Sequence, residues 1–333
     1  MLCGDGIIDG QGAEIHGEFE RSARPRVVWF GDCEDISIRG LQLRHSAFWM
    51  CHFICCRKIR VTDISIWNHG CRNNDGIDID SCRDVLIEGC NIDSYDDAIC
   101  LKCGTFTPCE NIQVRNCLVH SYCVALKLGT ETNGGFRNIR FSDIQILPSD
   151  HYNPQGAPDG GDARGIAGIG LMTVDGGFME NVFIENVFMA SSRIPLFIRL
   201  GDRRRAFPGA EANAPAWLKN VFMRNIRAEK AEARGCYIAG LPEKHLQNIV
   251  LQDCDFEFAG GGLPEWMTAH IAEERETFPT GMEFGMLPAY GFFIRYANGI
   301  CFRNVRFSTQ EPDPRPAVMT QFCQDVKLEI ETQ

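Results

Sequence analysis

Residues 82–94 read CRDVLIEGCNIDS, and residues 109–121 repeat the same pattern as CENIQVRNCLVHS. In each segment, two short runs of alternating apolar and polar residues are separated by one turn-forming residue, Gly89 or Asn116. Alternation with a period of two is typical of β-strands that bury one face, and glycine and asparagine favour tight turns. Each segment is therefore predicted to form two short strands joined by a turn.

Segments with this pattern recur along most of the chain. The other copies begin at Cys33, Cys56, Phe136, Met179, Leu218 and Leu246. The first five copies start 23, 26, 27 and 27 residues apart, and no helical periodicity separates them. A repeat of this length built from strands alone is typical of a parallel β-helix, in which each coil stacks on the last. The sequence thus predicts an all-β, single-stranded parallel β-helix, or solenoid, with residues 1–333 in one domain.

The repeat breaks near residues 148–168, 203–216 and 260–288. These three segments are predicted to be long loop insertions because the alternation of apolar and polar residues stops there. Long loops on a solenoid usually build the walls of a binding surface. We therefore expect the function to depend on one face of the β-helix and on these loops.

The charge of the chain limits its partners. Asp and Glu number 44 against 33 Lys and Arg, which gives a net charge of −11. Because nucleic acids and anionic membranes attract positively charged surfaces, neither is an expected partner. No run of residues is apolar enough to span a membrane, and the opening MLCGDGIIDGQG lacks the basic and apolar regions of a signal peptide. A cytoplasmic location is expected for the sequence as given.

The 17 cysteines are spread along the chain without paired CxxC spacing. An odd number of dispersed cysteines favours reduced thiols packed in a core over zinc sites or disulfides. We therefore expect most of them to be structural.

Acidic residues are unusually dense in residues 73–104, which read NNDGIDIDSCRDVLIEGCNIDSYDDAICLKCG. The apolar pairs of three successive coils serve as anchors for an alignment: Ile77 and Ile79, Ile99 and Leu101, and Leu126 and Leu128. This alignment places Asp75 over Asp97, with Asp96 beside them. It also places Asp80 over Lys102. The carboxylates of two coils are thus predicted to share one patch on the outside of the solenoid.

Crowded carboxylates repel one another and lose hydration, and both effects raise the pKa of at least one of them. A protonated carboxyl beside an ionised one is the arrangement of an inverting glycosidase, in which the first protonates the leaving oxygen and the second activates water. Two other interpretations of the cluster stay open at this point. The side chains could cap backbone N–H groups at turns, or they could hold a calcium ion.

Four stretches carry a resemblance to a known family. They are GDGIIDGQG (residues 4–12), HSAFWMCHFICCRKIRV (45–61), NNDGIDIDSCRDVLI (73–87) and SYDDAICLKCG (94–104). The sequence resembles the family 28 glycoside hydrolases, the polygalacturonases and their rhamnogalacturonan-cleaving relatives, from residue 4 to about residue 145. The resemblance implies a right-handed parallel β-helix that hydrolyses pectic polysaccharides with inversion and without a metal or other cofactor.

The resemblance also implies roles for individual residues. The Asn-x-Asp motif of the family matches Asn73 and Asp75, and its paired-Asp motif matches Asp96 and Asp97. By this correspondence Asp96 would be the general acid. Asp75 and Asp97 would position and deprotonate the attacking water, and Asn73 would bind substrate.

Two motifs of the family are missing. The histidine of its Gly-His-Gly motif falls at Val124, and its Arg-Ile-Lys motif, which grips a galacturonate carboxylate, falls at Gly170 to Met172. We therefore expect other side chains to bind the substrate. The candidates are Lys102, Lys127, Glu131, Arg199 and His69, with Trp49, Trp67 and Tyr122 as aromatic surfaces for sugar rings.

These observations favour an inverting glycoside hydrolase that acts on a pectin-type polysaccharide or oligosaccharide, derived from rhamnogalacturonan or galacturonan. Two alternatives stay open. One is a polysaccharide-lyase-type β-helix enzyme, in which a base removes the C5 proton of the sugar. The other is a non-catalytic carbohydrate-binding β-helix, which the missing motifs would fit. A carbohydrate is the expected partner in each case.

The beginning of the chain carries a separate expectation. Relatives have a leader and a capping segment before the first coil, and an uncapped coil exposes apolar and backbone groups. Oligomerisation through the N-terminal coil is therefore expected to be available to the protein. If a leader is missing from the sequence, the protein would be exported.

Overall fold

The computed structural model describes residues 1–20, 23–149, 164–190, 192–211 and 213–333. In these residues, 23 strands belong to one sheet that winds into a solenoid. The strands are β1 (Leu2–Cys3), β2 (Ile7–Asp9), β3 (Val28–Gly31), β4 (Glu34–Arg39), β5 (Gln42–Arg44), β6 (Cys51–Ile54), β7 (Arg57–Thr62), β8 (Ser65–Asn68), β9 (Ile77–Asp80), β10 (Arg83–Glu88), β11 (Asn91–Ser94), β12 (Ile99–Cys103), β13 (Cys109–Ser121), β14 (Val124–Thr132), β15 (Gly135–Ile146), β16 (Gly165–Thr173), β17 (Phe178–Met189), β18 (Ser192–Leu200), β19 (Leu218–Ala231), β20 (Cys236–Ala239), β21 (Leu246–Phe258), β22 (Phe292–Thr309) and β23 (Val318–Thr332). The helical elements that lie wholly within the described residues are α1 (Gly12–Ile15) and the 3₁₀ turns His16–Glu18, Pro264–Thr268 and Met282–Phe284.

Each early coil contributes one strand to each of three faces. In one coil, β9, β10 and β11 follow one another, and β12 opens the next coil by pairing in parallel with β9. Strands β10 and β11 both pair in parallel with β13, because from that point the second and third strands of a coil merge into one long strand. The predicted right-handed, single-stranded parallel β-helix is confirmed.

The core lies along the axis of the solenoid and consists of aliphatic and aromatic side chains in register. Ile77, Ile99 and Leu126 are stacked in three successive coils, and each is fully buried. Burying a side chain of this size stabilises a fold by about 1.5–3 kcal/mol. The alignment that predicted the carboxylate patch is therefore confirmed. All 17 cysteines have free thiols, and most are buried.

A ladder of asparagines marks one turn of the coils. Asn111, Asn138, Asn181, Asn220 and Asn248 all have φ near 56–57°, a left-handed conformation that asparagine tolerates. Asn111 donates its side-chain N–H to the carboxylate of Asp84, and each of the other four donates to the amide oxygen of the preceding asparagine, at 2.9–3.2 Å. The recurring asparagines of the sequence are thus structural.

One face of the solenoid, called the site sheet below, is formed by β3, β6, β9, β12, β14, β16, β18, β20 and the first residues of β22 and β23. Alternate side chains on these strands point outward, away from the core. One outward row, in order along the axis, contains His52, Asp78, Cys100, Lys127, Gly170, Phe197, Tyr237 and Phe293. This row carries the candidate site at one end.

The three segments predicted as loops have different outcomes. Residues 150–163 of the first lie outside the described residues, and β16 already begins at Gly165, so residues 165–168 form a strand. In residues 203–216, except residue 212, there is no strand. Residues 260–288 contain two 3₁₀ turns and no strand. Among the described residues, no helix is long and apolar enough to cross a membrane.

Candidate active site

The turn that precedes β9 places Asp75 on the site sheet. Gly76 donates its backbone N–H to the carbonyl of Asp97 at 2.9 Å, and β9 and β12 continue in parallel from this point. Asp75 is therefore stacked on Asp97, with Asp96 next to it in the chain. This is the stacking that the repeat predicted.

Buried amides hold this turn in place. Asn68 donates its side-chain N–H to the carbonyl of Asp75 at 2.7 Å. Asn74 donates to the carbonyl of Ser46 at 2.5 Å and accepts from the N–H of Cys71 at 2.6 Å. Both asparagines are fully buried, so the backbone that carries Asp75 is fixed on both sides.

Asn73 lies between the carboxylates and the N-terminal segment. Its φ of 60° turns the side chain toward the next coil, where Nδ2 donates to Oδ2 of Asp96 at 3.3 Å. Its amide oxygen accepts a hydrogen bond from Arg24 at 3.1 Å. Asn73 thus orients the predicted general acid, and the structure brings it to the predicted site.

Asp96 is the carboxyl of the cluster that combines a raised pKa with access to solvent. One of its oxygens accepts the N–H of Asp97 at 3.0 Å, and the side chain keeps partial access to solvent. Burial raises the pKa of Asp96 above its usual range, and the nearby charge of Asp97 raises it further. The raised carboxyl pKa predicted from crowding is therefore present here.

Asp97 is held in an ion pair. Its Oδ2 lies 2.6 Å from Nζ of Lys127, and its Oδ1 accepts the backbone N–H of Val124 at 3.2 Å. Both charged side chains are less than a tenth exposed. Burial acts to lower the pKa of Lys127, but Asp97, Cys100 and Cys123 together raise it well above its usual range. Lys127 is thus a fixed cation on the coil where the family histidine is missing.

Lys102 forms a second buried cation one coil earlier. Its Nζ lies 2.8 Å from Asp78, 3.3 Å from Asp75 and 3.2 Å from Sγ of Cys100. Burial acts to lower the pKa of Lys102, but Asp78, Cys100 and Asp75 together raise it well above the usual range. Burial raises the pKa of Asp75, and repulsion by Asp78 adds to this effect. The second oxygen of Asp75 has no hydrogen-bond partner among the described residues.

Glu131 also lies within the electrostatic reach of this cluster. Burial acts to raise the pKa of Glu131, but Lys102, Lys127 and Arg203 lower it below the usual range. Its side chain is half-buried. The structure therefore brings Glu131 to the predicted site as a carboxylate that balances the two lysines.

Two basic side chains near the cluster were missed by the sequence reasoning. His52 is 5% exposed, lies next to Asp78 in the outward row and has Nε2 at 3.8 Å from Oδ2 of Asp80. Strand alternation could have placed His52 on this face. Arg26 lies over the ring of Trp49, with Cζ 4.9 Å from the ring centroid. Arg26 gives no signal in the sequence because it precedes the first clear repeat.

Two residues predicted to bind substrate are engaged by groups outside the cluster of Asp75, Asp96 and Asp97. His69 is bound to Asp93, with 2.8 Å between Nε2 and Oδ1. Arg199 points outward as predicted, but it is 1% exposed and donates to the backbone carbonyls of Gly240 and Glu273. Both are therefore left out of the site that we propose below.

The three aromatic side chains predicted as sugar platforms are already in contact with other groups. The ring of Trp49 faces Nζ of Lys102 at 4.4 Å from its centroid and stacks on Phe48. Trp67 and Tyr122 pack against His69, at 5.2 and 5.5 Å between ring centroids.

One group of described side chains could hold a metal ion. Ligand atoms of Asp96, Asp97 and Cys123 lie within 4.8 Å of one another. Burial raises the pKa of the Cys123 thiol well above its usual range, and metals bind the thiolate. Lys127 already supplies a positive charge to Asp97. The donor set therefore fits acid–base chemistry better than a metal centre.

Taken together, the cluster holds two carboxyls with raised pKa values, Asp96 and Asp75, of which only Asp96 is accessible to solvent, and a third, Asp97, that is fixed by a lysine. Such an arrangement can give a proton to one atom of a ligand and remove a proton from a water molecule nearby.

Comparisons with known proteins agree with this chemistry. Residues 1–150 match the family described as glycosyl hydrolases family 28. A probable polygalacturonase from Vitis vinifera is 28% identical over 273 residues, which cover 78% of this chain and 52% of the relative. The resemblance that the motifs indicated is therefore confirmed.

Solved structures show the same architecture. An exopolygalacturonase from Thermotoga maritima matches with a TM-score of 0.58 and 27% identity, covering 71% of this chain and 51% of that one. A family 28 exopolygalacturonase from Yersinia enterocolitica matches with a TM-score of 0.63 over 98% of this chain and 60% of that one. At 14% identity, the second match shows the fold alone. The chain spans about half the length of the curated relatives it matches.

Proposed function

We propose that this chain, whose first 150 residues carry the family 28 pattern, is an inverting glycoside hydrolase that cleaves pectin-type poly- or oligosaccharides. The observation that carries the proposal is the contrast between two adjacent carboxyls. Asp96 has a raised pKa, and Asp97 is ion-paired with Lys127 at 2.6 Å. An inverting hydrolase requires this difference between its acid and its base.

In the proposed reaction, Asp96 gives its proton to the glycosidic oxygen as the bond from that oxygen to the anomeric carbon breaks. A water molecule attacks the anomeric carbon from the opposite face and loses a proton to Asp97. The products are two sugar chains that together contain one added water. Asn73 keeps Asp96 in place through the 3.3 Å hydrogen bond.

An acidic sugar is the substrate class that the basic groups support. Lys102 and Lys127 are engaged by carboxylates of the protein. Arg26, in contrast, has no hydrogen-bond or ion-pair partner among the described residues, and its Nε is buried. A guanidinium with free donors suits a uronate carboxylate. We therefore assign Arg26 the role left by the missing Arg-Ile-Lys motif.

The test is mass spectrometry of products from galacturonan, rhamnogalacturonan and their oligosaccharides, with wild type and Asp96→Asn. We expect saturated products that carry one added water, and a rate reduced roughly 10²–10⁴-fold in the variant because a general acid contributes about that much. Proton NMR of the first product should show the inverted anomer.

The matched control is Asp35→Asn, which changes an exposed aspartate on β4. It should keep the full rate. Unsaturated products would assign a lyase instead, and binding without any product from either form would assign a carbohydrate-binding protein.

A further inference from the structure

Residues 260–288 lie across the outer face of the site sheet, at β18 and β20. The carbonyl of Arg275 accepts the N–H of Asp202, which follows β18, at 2.7 Å. The ring of Phe284 is buried against Phe197 and Tyr237, at 6.0 and 4.6 Å between centroids. This segment is thus packed on the sheet as part of the fold.

Two buried arginines anchor the same segment from below. Arg199 donates to the carbonyl of Glu273, and Arg295 donates to the carbonyl of Ile271 at 2.8 Å. The side chain of Glu273 accepts from the hydroxyl of Tyr296 at 2.9 Å. Hydrogen bonds from charged donors inside a protein are strong, so the segment is held firmly against the coils.

The consequence is that the outward row of the site sheet is closed beyond the candidate site. Phe197 and Tyr237 are 1% and 2% exposed. Lys127 and Phe197 are two strands apart, or roughly 10 Å at the usual strand spacing. A sugar chain that runs along the axis past Asp96 and Asp97 therefore meets a wall within a short distance.

An aromatic ring stands at the edge of this wall. Phe278 is 50% exposed, and its ring centroid lies 5.4 Å from Nζ of Lys127 and 5.5 Å from Cζ of Arg203. Arg203 is itself fixed by the fully buried Asp175 and by Thr130. An exposed ring that is held beside fixed cations offers an apolar face to a pyranose.

We propose that residues 260–288 end the substrate groove on its C-terminal side, that Phe278 binds the terminal sugar there, and that the chain consequently cleaves its substrate from an end. The inference rests on the proposed hydrolase function and adds the position of the cut. Lys127 connects the carboxylate cluster with the proposed terminal-sugar site, since it contacts both Asp97 and the Phe278 ring.

The experiment follows viscosity, reducing ends and product length together during digestion of long galacturonan or rhamnogalacturonan. End-wise cleavage gives short products from the start and reducing ends with little loss of viscosity. A ladder of intermediate lengths with early loss of viscosity would overturn the end-wise inference and leave the hydrolase standing. Absence of any saturated product would overturn the proposed function, and the inference with it.

Phe278→Ala and Phe278→Tyr test the role of the ring itself. We expect KM for short oligosaccharides to rise roughly two- to tenfold in Phe278→Ala, the range of an aromatic contact, with kcat unchanged and with recovery in Phe278→Tyr. The ring is half exposed, so the fold should tolerate both changes. Unchanged KM in Phe278→Ala would overturn the assignment of Phe278.

Discussion

The two ends of the site sheet use buried cations in opposite ways. At the N-terminal end, Lys102 and Lys127 are paired with aspartates at 2.6–3.3 Å. At the C-terminal end, Arg199 and Arg295 donate to backbone carbonyls of residues 240, 271 and 273. All four side chains are at most 5% exposed. The cations have similar burial, but only the lysines have charged partners.

The difference shows what turns a solenoid face into a site. Around the two lysines, burial and mutual repulsion raise the pKa values of Asp75, Asp78 and Asp96, so protons can be exchanged there. An arginine that donates to neutral carbonyls has no carboxylate partner and acts as an anchor for the loop above it. Outward positions on the site sheet therefore carry titrating groups at the N-terminal end, whereas at the C-terminal end they hold the loop that closes the groove.

Replacing Lys127 should have the largest effect on both stability and activity. In Lys127→Met, Asp97 is left buried without its cation, so the free energy of unfolding should fall by about 3–5 kcal/mol, and kcat should fall as well. Urea unfolding and product assays measure the two effects. The double variant Lys127→Met, Asp97→Asn should recover stability without recovering activity, because the unpaired charge is gone but so is the base.

Arg199→Met is the matched change at the other end. It leaves neutral carbonyls without a donor, so the free energy of unfolding should fall by only about 1–3 kcal/mol. Its kcat should match that of wild type since Arg199 does not contact the carboxylates. A loss of kcat equal to that of Lys127→Met would show that the two ends do not differ in function.

Titration of Asp96 tests the electrostatics of the N-terminal end, with a smaller expected effect. Catalysis needs protonated Asp96, so the rate should fall as pH rises through the raised pKa of this group. Burial and the charge of Asp97 both raise the pKa of Asp96. Asp97→Asn removes the charge, so the pKa of Asp96 should fall, while burial keeps it above the usual range. Carbon NMR of labelled aspartates, assigned with Asp96→Asn, measures this shift without any activity. An unmoved titration would mean that Asp97 does not act on Asp96.

The smallest expected effect is that of a chelator. The ammonium groups of Lys102 and Lys127 lie among the carboxylates where a divalent cation would otherwise balance their charge. The hydrolysis rate should therefore be the same with and without chelator. A loss of rate that added calcium restores would instead make the site a metal site, and would remove the contrast between the two ends.

The fold and the position of the carboxylates follow from short-range patterns in the sequence. Alternation fixes which side chains point inward, and a repeat of 23–27 residues fixes which residues stack, so Asp75 and Asp97 could be placed together without coordinates. The same alternation showed that Lys102, Lys127 and Arg199 point outward. It did not show what each would meet there.

The partners of those side chains come from segments that the repeat does not describe. Arg26 lies in the segment before the first clear repeat, and Phe278 lies in a loop. Arg199 was predicted to bind substrate, but it donates to the carbonyl of Glu273 and so holds that loop in place. The sequence alone therefore determined the solenoid, its register and the acidic patch, because each depends on spacing between neighbouring coils. Only the tertiary structure decided which cations serve the site and where the groove ends, because these depend on how non-repeating segments fold back onto the coils.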